Sequence, residues 1–183
     1  MSIAVISGSL RANSFNSAIS RKIVELGSSK DRTVYHIDIS DVPLFNQDLE
    51  NAYTGYVYPP NIHNIRDIVA HCSSIIFVTP EHNSMPSAAT KNIIDWLSRG
   101  GKESVLRNKI IYLVSGAGVG KGSLAQKFLW EGLENMNLYQ KLNMTLMKDK
   151  SIGVNIFNGE TYISENSIIH QGLISELETK LFQ

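Results

Sequence analysis

Ser9, Arg11, Ser14 and Asn16 stand in the stretch SGSLRANSFN, Ser7 to Asn16, between the apolar run Ile3–Ile6 and the amphipathic run Phe15–Leu26. A strand followed by a helix is the expected setting. The first N–H groups of such a helix have no partner within it, and the positive end of its dipole lies behind them. That terminus attracts anions. Ser9, Ser14 and Asn16 add neutral donors, Arg11 adds a forked cation suited to phosphate, and Gly8 permits a close backbone approach. A single terminal phosphate fits the spacing better than a pyrophosphate. Capping of the helix accounts for Ser14 but leaves Ser9 and Arg11 unexplained.

Other phosphate loops fail on spacing. The turn has no lysine for a Walker A loop, only Gly8 of a G-x-G-x-x-G fingerprint, and no cysteine for a C-x5-R phosphatase loop. A second stretch, TPEHNSMPSAATKNIIDWLSRGG from Thr79 to Gly101, leads from a strand into a helix. Pro80 is expected to end the strand, and Asn83, Ser84 and Pro86 to form a turn. Backbone groups there could meet a flat heterocycle, with Glu81 and His82 beside it. An ordinary turn capped by Ser84 or Ser87 would use the same residues, and Trp96 reads as core or interface. The third stretch, SGAGVGKGS from Ser115 to Ser123, is neither a dinucleotide fingerprint nor a Walker A loop, because Lys121 and Gly122 fall at the wrong places. It reads as a flexible backbone loop near a ligand, or as a plain connector.

The elements that must hold these loops alternate. Strands are expected at Ile3–Ser7, Thr33–Ile39, Ser74–Thr79, Lys109–Ser115 and within Met144–Phe157; helices at Ser14–Leu26, Asn61–His71, Ser87–Ser98, Gly122–Asn135 and Glu165–Phe182. In the last, Ile169, Leu173, Leu177 and Leu181 share a face, with Ser164 as a candidate cap. Continuous apolar strands alternating with helices predict a doubly wound α/β fold: a five-stranded parallel sheet, order 2-1-3-4-5, with helices on both faces. The three loops then converge on the carboxyl edge at the switch point between strands 1 and 3. The tyrosine-bearing segment Asp41–Pro60 reads as an ordered surface loop.

The 183 residues suit one domain, 1–183. Lys plus Arg and Asp plus Glu both number 17, a balance that argues against a nucleic-acid partner and against an acidic electron carrier. Cys72 is the only cysteine, which fits a reducing compartment. No apolar run reaches the roughly 18 residues of a membrane span, and no leader pattern precedes the first strand. The expectation is a cytoplasmic protein. No H-x-x-H or cysteine cluster suggests a metal.

Taken together, these motifs resemble one family. GSLRANSFN resembles the G-S-x-R-x-x-S-x-N phosphate loop of the NAD(P)H-dependent FMN reductases, which are flavodoxin-like. TPEHN…KNIIDWLSR is similar to their T-P-E-Y-N…L-K-N-A-I-D-W-L-S-R, PLFNQDLE (Pro43–Glu50) to their loop after strand 2, and SGAG to their S-G-G. The resemblance runs to about Asn135. It implies that Ser9, Arg11, Ser14, Phe15 and Asn16 hold an FMN phosphate. It further implies that Pro80, Glu81, His82, Asn83 and Ser84 line the flavin ring, with Ser115 and Gly116 at its far edge. The implied activity is an FMN oxidoreductase. It would take hydride from NADPH or NADH and pass electrons to a small-molecule acceptor such as a quinone, azo compound, metal oxyanion or free flavin. No catalytic acid or base is implied. The implied assembly is a homodimer or homotetramer, for which Trp96 and the tyrosines of 41–60 are candidate contacts. Three departures stand out. His82 replaces a common tyrosine, Ser84-Met85-Pro86-Ser87 is drawn up by one residue towards Asn83, and Thr90 replaces a frequent leucine.

Overall fold

The computed structural model describes residues 2–50, 57–118, 120–155 and 171–182. A parallel sheet runs in the order β2-β1-β3-β5-β6, formed by β1 (Ser2–Ser7), β2 (Thr33–Ile37), β3 (Ser74–His82), β5 (Ile110–Ala117) and β6 (Thr145–Leu146). Two short strands join it: β4 (Met85–Pro86), antiparallel to β3, and β7 (Ile152–Asn155), parallel to β5. The helices are α1 (Phe15–Ser28), α2 (Pro60–His71), α3 (Ala88–Ser98), α4 (Ser123–Gln140) and α5 (Gln171–Phe182). This is the doubly wound, flavodoxin-like order expected from the sequence, with its switch point between β1 and β3.

Alternate residues of each central strand serve opposite faces. Ile3 and Val5 of β1 pack with Ile76 and Val78 of β3 against Ile19, Ile23 and Leu26 of α1 and Leu177 and Leu181 of α5. Ala4 and Ile6 point the other way, with Ile75 and Phe77, to meet Ile65 and Val69 of α2, Ile93 and Leu97 of α3, and Leu129 and Leu133 of α4. Both faces are thus covered, which is why the strands read as continuous apolar runs.

Two expected strands are reshaped, while β2 ends at Ile37 and α4 runs on to Gln140. The fifth strand is broken: β6 pairs with the start of β5 (Ile110↔Thr145) and β7 with its end (Val114↔Ile152). The polar run Lys148–Lys150 makes a helical turn between them. Pro80 does not end β3. The strand continues to His82, with Pro80 in register with Gly116. It ends in a two-residue hairpin, where Asn83 and Ser84 have φ of 51° and 65° and His82 faces Met85 across the turn. Consecutive left-handed residues form the type I′ turn that matches strand twist. Ile169, Ser164, Tyr53 and Tyr56 lie outside the described residues.

Loop 43–50 is fastened to α3 by residues one helical face apart. The side-chain N–H groups of Asn92 and Trp96 both donate to the Pro43 carbonyl at 2.9 Å, and the Phe45 amide donates to Asn92 Oδ1 at 2.7 Å. Phe45 sits edge-on to Trp96, with ring centroids 5.0 Å apart. The Arg99 guanidinium grips the buried Glu50 carboxylate with two N–H groups, Nε at 2.7 Å. The motifs PLFNQDLE and KNIIDWLSR are therefore the two sides of one joint. Trp96 is fully buried in it, so it belongs to the core and not to an intersubunit surface.

Ser84 adopts a conformation that costs a side-chain-bearing residue energy and glycine none. Replacing Ser84 by glycine should raise unfolding stability by about 0.5–1 kcal/mol in a urea titration. An unchanged or lower midpoint would show that the turn is not held left-handed at this position.

Candidate active site

The β1–α1 turn begins at Gly8, whose amide donates to the Val78 carbonyl of β3 at 2.8 Å. Ser14 caps α1: its Oγ accepts from the amides of Asn16 (3.2 Å) and Ser17 (3.4 Å). Between these anchors Arg11, Ala12 and Asn13 are exposed and Ser9 is half-exposed. Among the described residues, the amides of Leu10 to Asn13 donate to no protein acceptor. The Arg11 guanidinium lies over the Phe15 ring, 5.5 Å from its centroid. A run of outward amides, a helix dipole and a cation are the groups from which anion sites are built.

A cavity of about 150 Å³ opens beside the turn towards β2, lined by Ser9, Arg11, Ser17, His36 and Ser40 among others. Burial, reinforced by the charge of Arg21 and opposed by Asp38, lowers the His36 pKa.

Four of the side chains singled out in the sequence turn inward. Asn16 is buried, and its amide pairs with both sides of Gly116: Nδ2 donates to the Gly116 carbonyl at 3.0 Å, and the Gly116 amide donates to Oδ1 at 2.9 Å. A β-carbon at Gly116 would sit 3.0 Å from Ile19 Cδ1 and 3.1 Å from Asn16 Oδ1, so a side chain there would press on both. Ser115 is fully buried; its hydroxyl donates to the Lys121 carbonyl at 2.6 Å and accepts from Gln126 at 2.7 Å. Glu81 Oε2 accepts from the amides of Leu124 and Ala125, both at 3.0 Å. Gly122, the residue before α4, has no side chain to cap the helix, so a carboxylate from β3 does it instead. Ser14, the fourth, caps α1 as described.

These bonds pin both ends of the third loop. Its described residues are held from three sides, and its own turn closes through Lys121 N to Gly118 O at 2.8 Å and Ser123 N to Gly120 O at 3.0 Å. What remains outward are Ser9, Arg11 and the turn amides on one loop, and His82, Asn83 and Ser84 on the exposed β3–β4 hairpin. Gln126 was missed in the sequence as part of the site's frame, and Ser87, a candidate cap there, does more than cap. Gln126 lies one helical turn beyond Gly122, and that spacing was the available signal.

An exposed turn of free amides at the switch point of a parallel sheet, flanked by the loops of β3 and β5, is the arrangement of a flavodoxin-like domain. A family model described as NADPH-dependent FMN reductase matches residues 1–154, and the chain belongs to that family. Among curated relatives, an NADPH:quinone oxidoreductase of Arabidopsis thaliana is 38% identical over 123 residues, 66% of this chain and 60% of the relative's length. The match therefore spans less than two thirds of that relative. A quinone reductase of Escherichia coli (strain K12) is 23% identical over 181 residues, 99% of this chain and 92% of its own length. Among solved structures, a flavoenzyme NAD(P)H:(acceptor) oxidoreductase from Paracoccus denitrificans shares the fold with a TM-score of 0.79 and 23% identity, over 97% of this chain and 91% of that one.

The inward and outward residues should separate in stability measurements. Asn16→Ala leaves the buried Gly116 amide and carbonyl unpaired and should cost about 2–4 kcal/mol of unfolding free energy. Arg11→Ala, at an exposed position, should stay within about 0.5 kcal/mol of the parent. Denaturant titration of the cofactor-free protein checks both. Equal losses would refute the division.

Proposed function

We propose that the protein binds FMN and uses NAD(P)H to reduce small-molecule acceptors, with quinones foremost and azo compounds, metal oxyanions and free flavin as further candidates. The observation that carries this is the exposed turn Ser9–Asn13, with Arg11 beside the amino end of α1, inside the part of the chain that matches the FMN reductase family. The residues fit the cofactor. The cradle holds one phosphate's worth of donors, and the hairpin and the pinned Gly116 loop flank the same sheet edge.

In this reading Ser9, Arg11 and the turn amides take the phosphate. Ser14, Phe15 and Asn16 shape that turn from behind. Pro80, His82, Asn83 and Ser84 present backbone and ring-edge groups, while Glu81 and Ser115 act through the loop they hold and Gly116 offers its backbone. Bound FMN would supply the chemistry, accepting two electrons as hydride from NADPH or NADH and returning them to the acceptor. The protein's part is to orient the ring and keep one side of it accessible.

The proposal includes a homodimer or homotetramer in the cytoplasm, acting without nucleic acid. An apolar groove of about 500 Å³ between α3 and α4 supports a covered face; Met85, Phe128 and Met136 are among its lining. Met85 and Phe128 are 49% and 41% exposed. Among the described residues no helix is long and apolar enough to cross a membrane.

The test is an absorbance and titration experiment followed by turnover. Purified protein should take up FMN more tightly than FAD, and with FMN it should oxidise NAD(P)H when benzoquinone is added. Arg11→Ala should weaken FMN binding about ten- to a hundredfold, the loss of one charge-assisted contact of about 1.5–3 kcal/mol. Tighter FAD than FMN, or FMN bound without any NAD(P)H oxidation, would contradict the reading.

A further inference from the structure

Behind the anion-binding turn lies a chain of three buried hydroxyls. Ser87 Oγ donates to the Gly8 carbonyl at 2.6 Å and lies 2.9 Å from Thr90 Oγ1. Thr90 Oγ1 reaches Thr79 Oγ1 at 3.0 Å, and Thr79 Oγ1 donates to the Pro80 carbonyl at 2.9 Å. Ser87 also caps α3, accepting from the Thr90 amide at 3.1 Å. Thr79, Ser87 and Thr90 are at most 4% exposed. The chain links the residue where the turn departs from β1 to the residue where β3 enters the hairpin.

Proton counting shows what the chain does. Both ends are carbonyl oxygens, which only accept. Three hydroxyl protons must serve four contacts, so one contact is always without a hydrogen. The short Ser87–Gly8 bond takes the Ser87 proton, and the vacancy falls among the other contacts. Hydrogen bonding alone thus gives the Thr90 oxygen little weight. Its size gives it more. A β-carbon placed on Gly8 would lie 1.8 Å from Thr90 Oγ1, so this hydroxyl sits directly against the Gly8 backbone. An oxygen fits where a methyl group, larger in radius, would push.

We propose that Ser87 and Thr90 are positioning residues for the phosphate end of the cofactor. The first turn of α3 seats Gly8 from behind, Ser87 by a hydrogen bond and Thr90 by a contact that only a small polar atom allows. Displacing Gly8 moves Ser9 and Arg11 relative to the start of α1. The hairpin has further anchors of its own, the register of Pro80 with Gly116 and of Glu81 with Pro86, so the phosphate end is the more sensitive of the two. The inference rests on the FMN reading of the preceding subsection.

Its test compares FMN with riboflavin, which carries the same ring without the phosphate. Dissociation constants are measured by flavin fluorescence on cofactor-free parent, Thr90→Val and Thr90→Ser. Thr90→Val replaces the hydroxyl by a methyl group at nearly constant shape and should weaken FMN about tenfold or more. Riboflavin affinity should stay within about twofold, and Thr90→Ser, which keeps the hydroxyl, should bind FMN like the parent. Should Thr90→Val fail to fold, Ser87→Ala carries the same expectation of an FMN-selective loss. A parent that binds FMN, with Thr90→Val shifting both ligands equally or neither, overturns the inference and leaves the flavin reading standing. A parent that binds no FMN overturns that reading and the inference with it.

Discussion

The pairing of Asn16 with Gly116 is the constraint on which the site depends. At the carboxyl edge of a parallel sheet the ladder of backbone bonds thins out, yet peptides at the strand ends and just beyond them are still buried. Buried peptide groups must be paired. Here side chains from neighbouring elements pair the buried groups of Gly116 and Gly8, through Asn16 and Ser87, and the more open groups of Lys121, Leu124 and Ala125, through Ser115 and Glu81. Each bond crosses from one element to another, so three loops are fixed to one another as well as to the sheet.

This division explains why the motifs contain so many polar residues. Half of them do not face outward. Asn16, Ser14, Ser115 and Glu81 make the frame, and Ser9, Arg11 and the turn amides are presented by it. A site built this way is preorganised, because the cost of ordering its loops is met in folding and not on binding. The same logic extends to loop 43–50, whose carbonyl at Pro43 is held by Asn92 and Trp96 and whose buried Glu50 is held by Arg99.

The strand order and the helices were legible in the sequence because each central strand is apolar on both faces and each helix on one. Ser14 stood out as a cap by position alone, and Ser87 as one of two candidates with Ser84. Less legible was the direction in which polar side chains point. A serine or asparagine that contacts a ligand and one that pairs a buried peptide have the same type and spacing; only the tertiary neighbour separates them, as Gly116 does for Asn16, 100 positions away. Pro80 misled for a related reason. It reads as a strand breaker, but β3 continues beyond it into the hairpin with β4, and the strand is tolerated through a residue that lacks an amide. The short hairpin itself was visible as a displaced Ser84-Met85-Pro86, without its turn type, which needs the φ values.

Hydrogen exchange on the cofactor-free protein tests the central claim, that side-chain bonds preform the loop framework before any ligand binds. The amides of Gly116, Leu124 and Ala125 are held by Asn16 and Glu81 and should exchange slowly, in the range of core amides such as those of Ile76 and Val114. They should lose that protection in Asn16→Ala (Gly116) and Glu81→Ala (Leu124 and Ala125). Exchange of these amides at the rate of exposed turns in the parent, slowing only when FMN is added, would contradict the account and make the framework a product of binding.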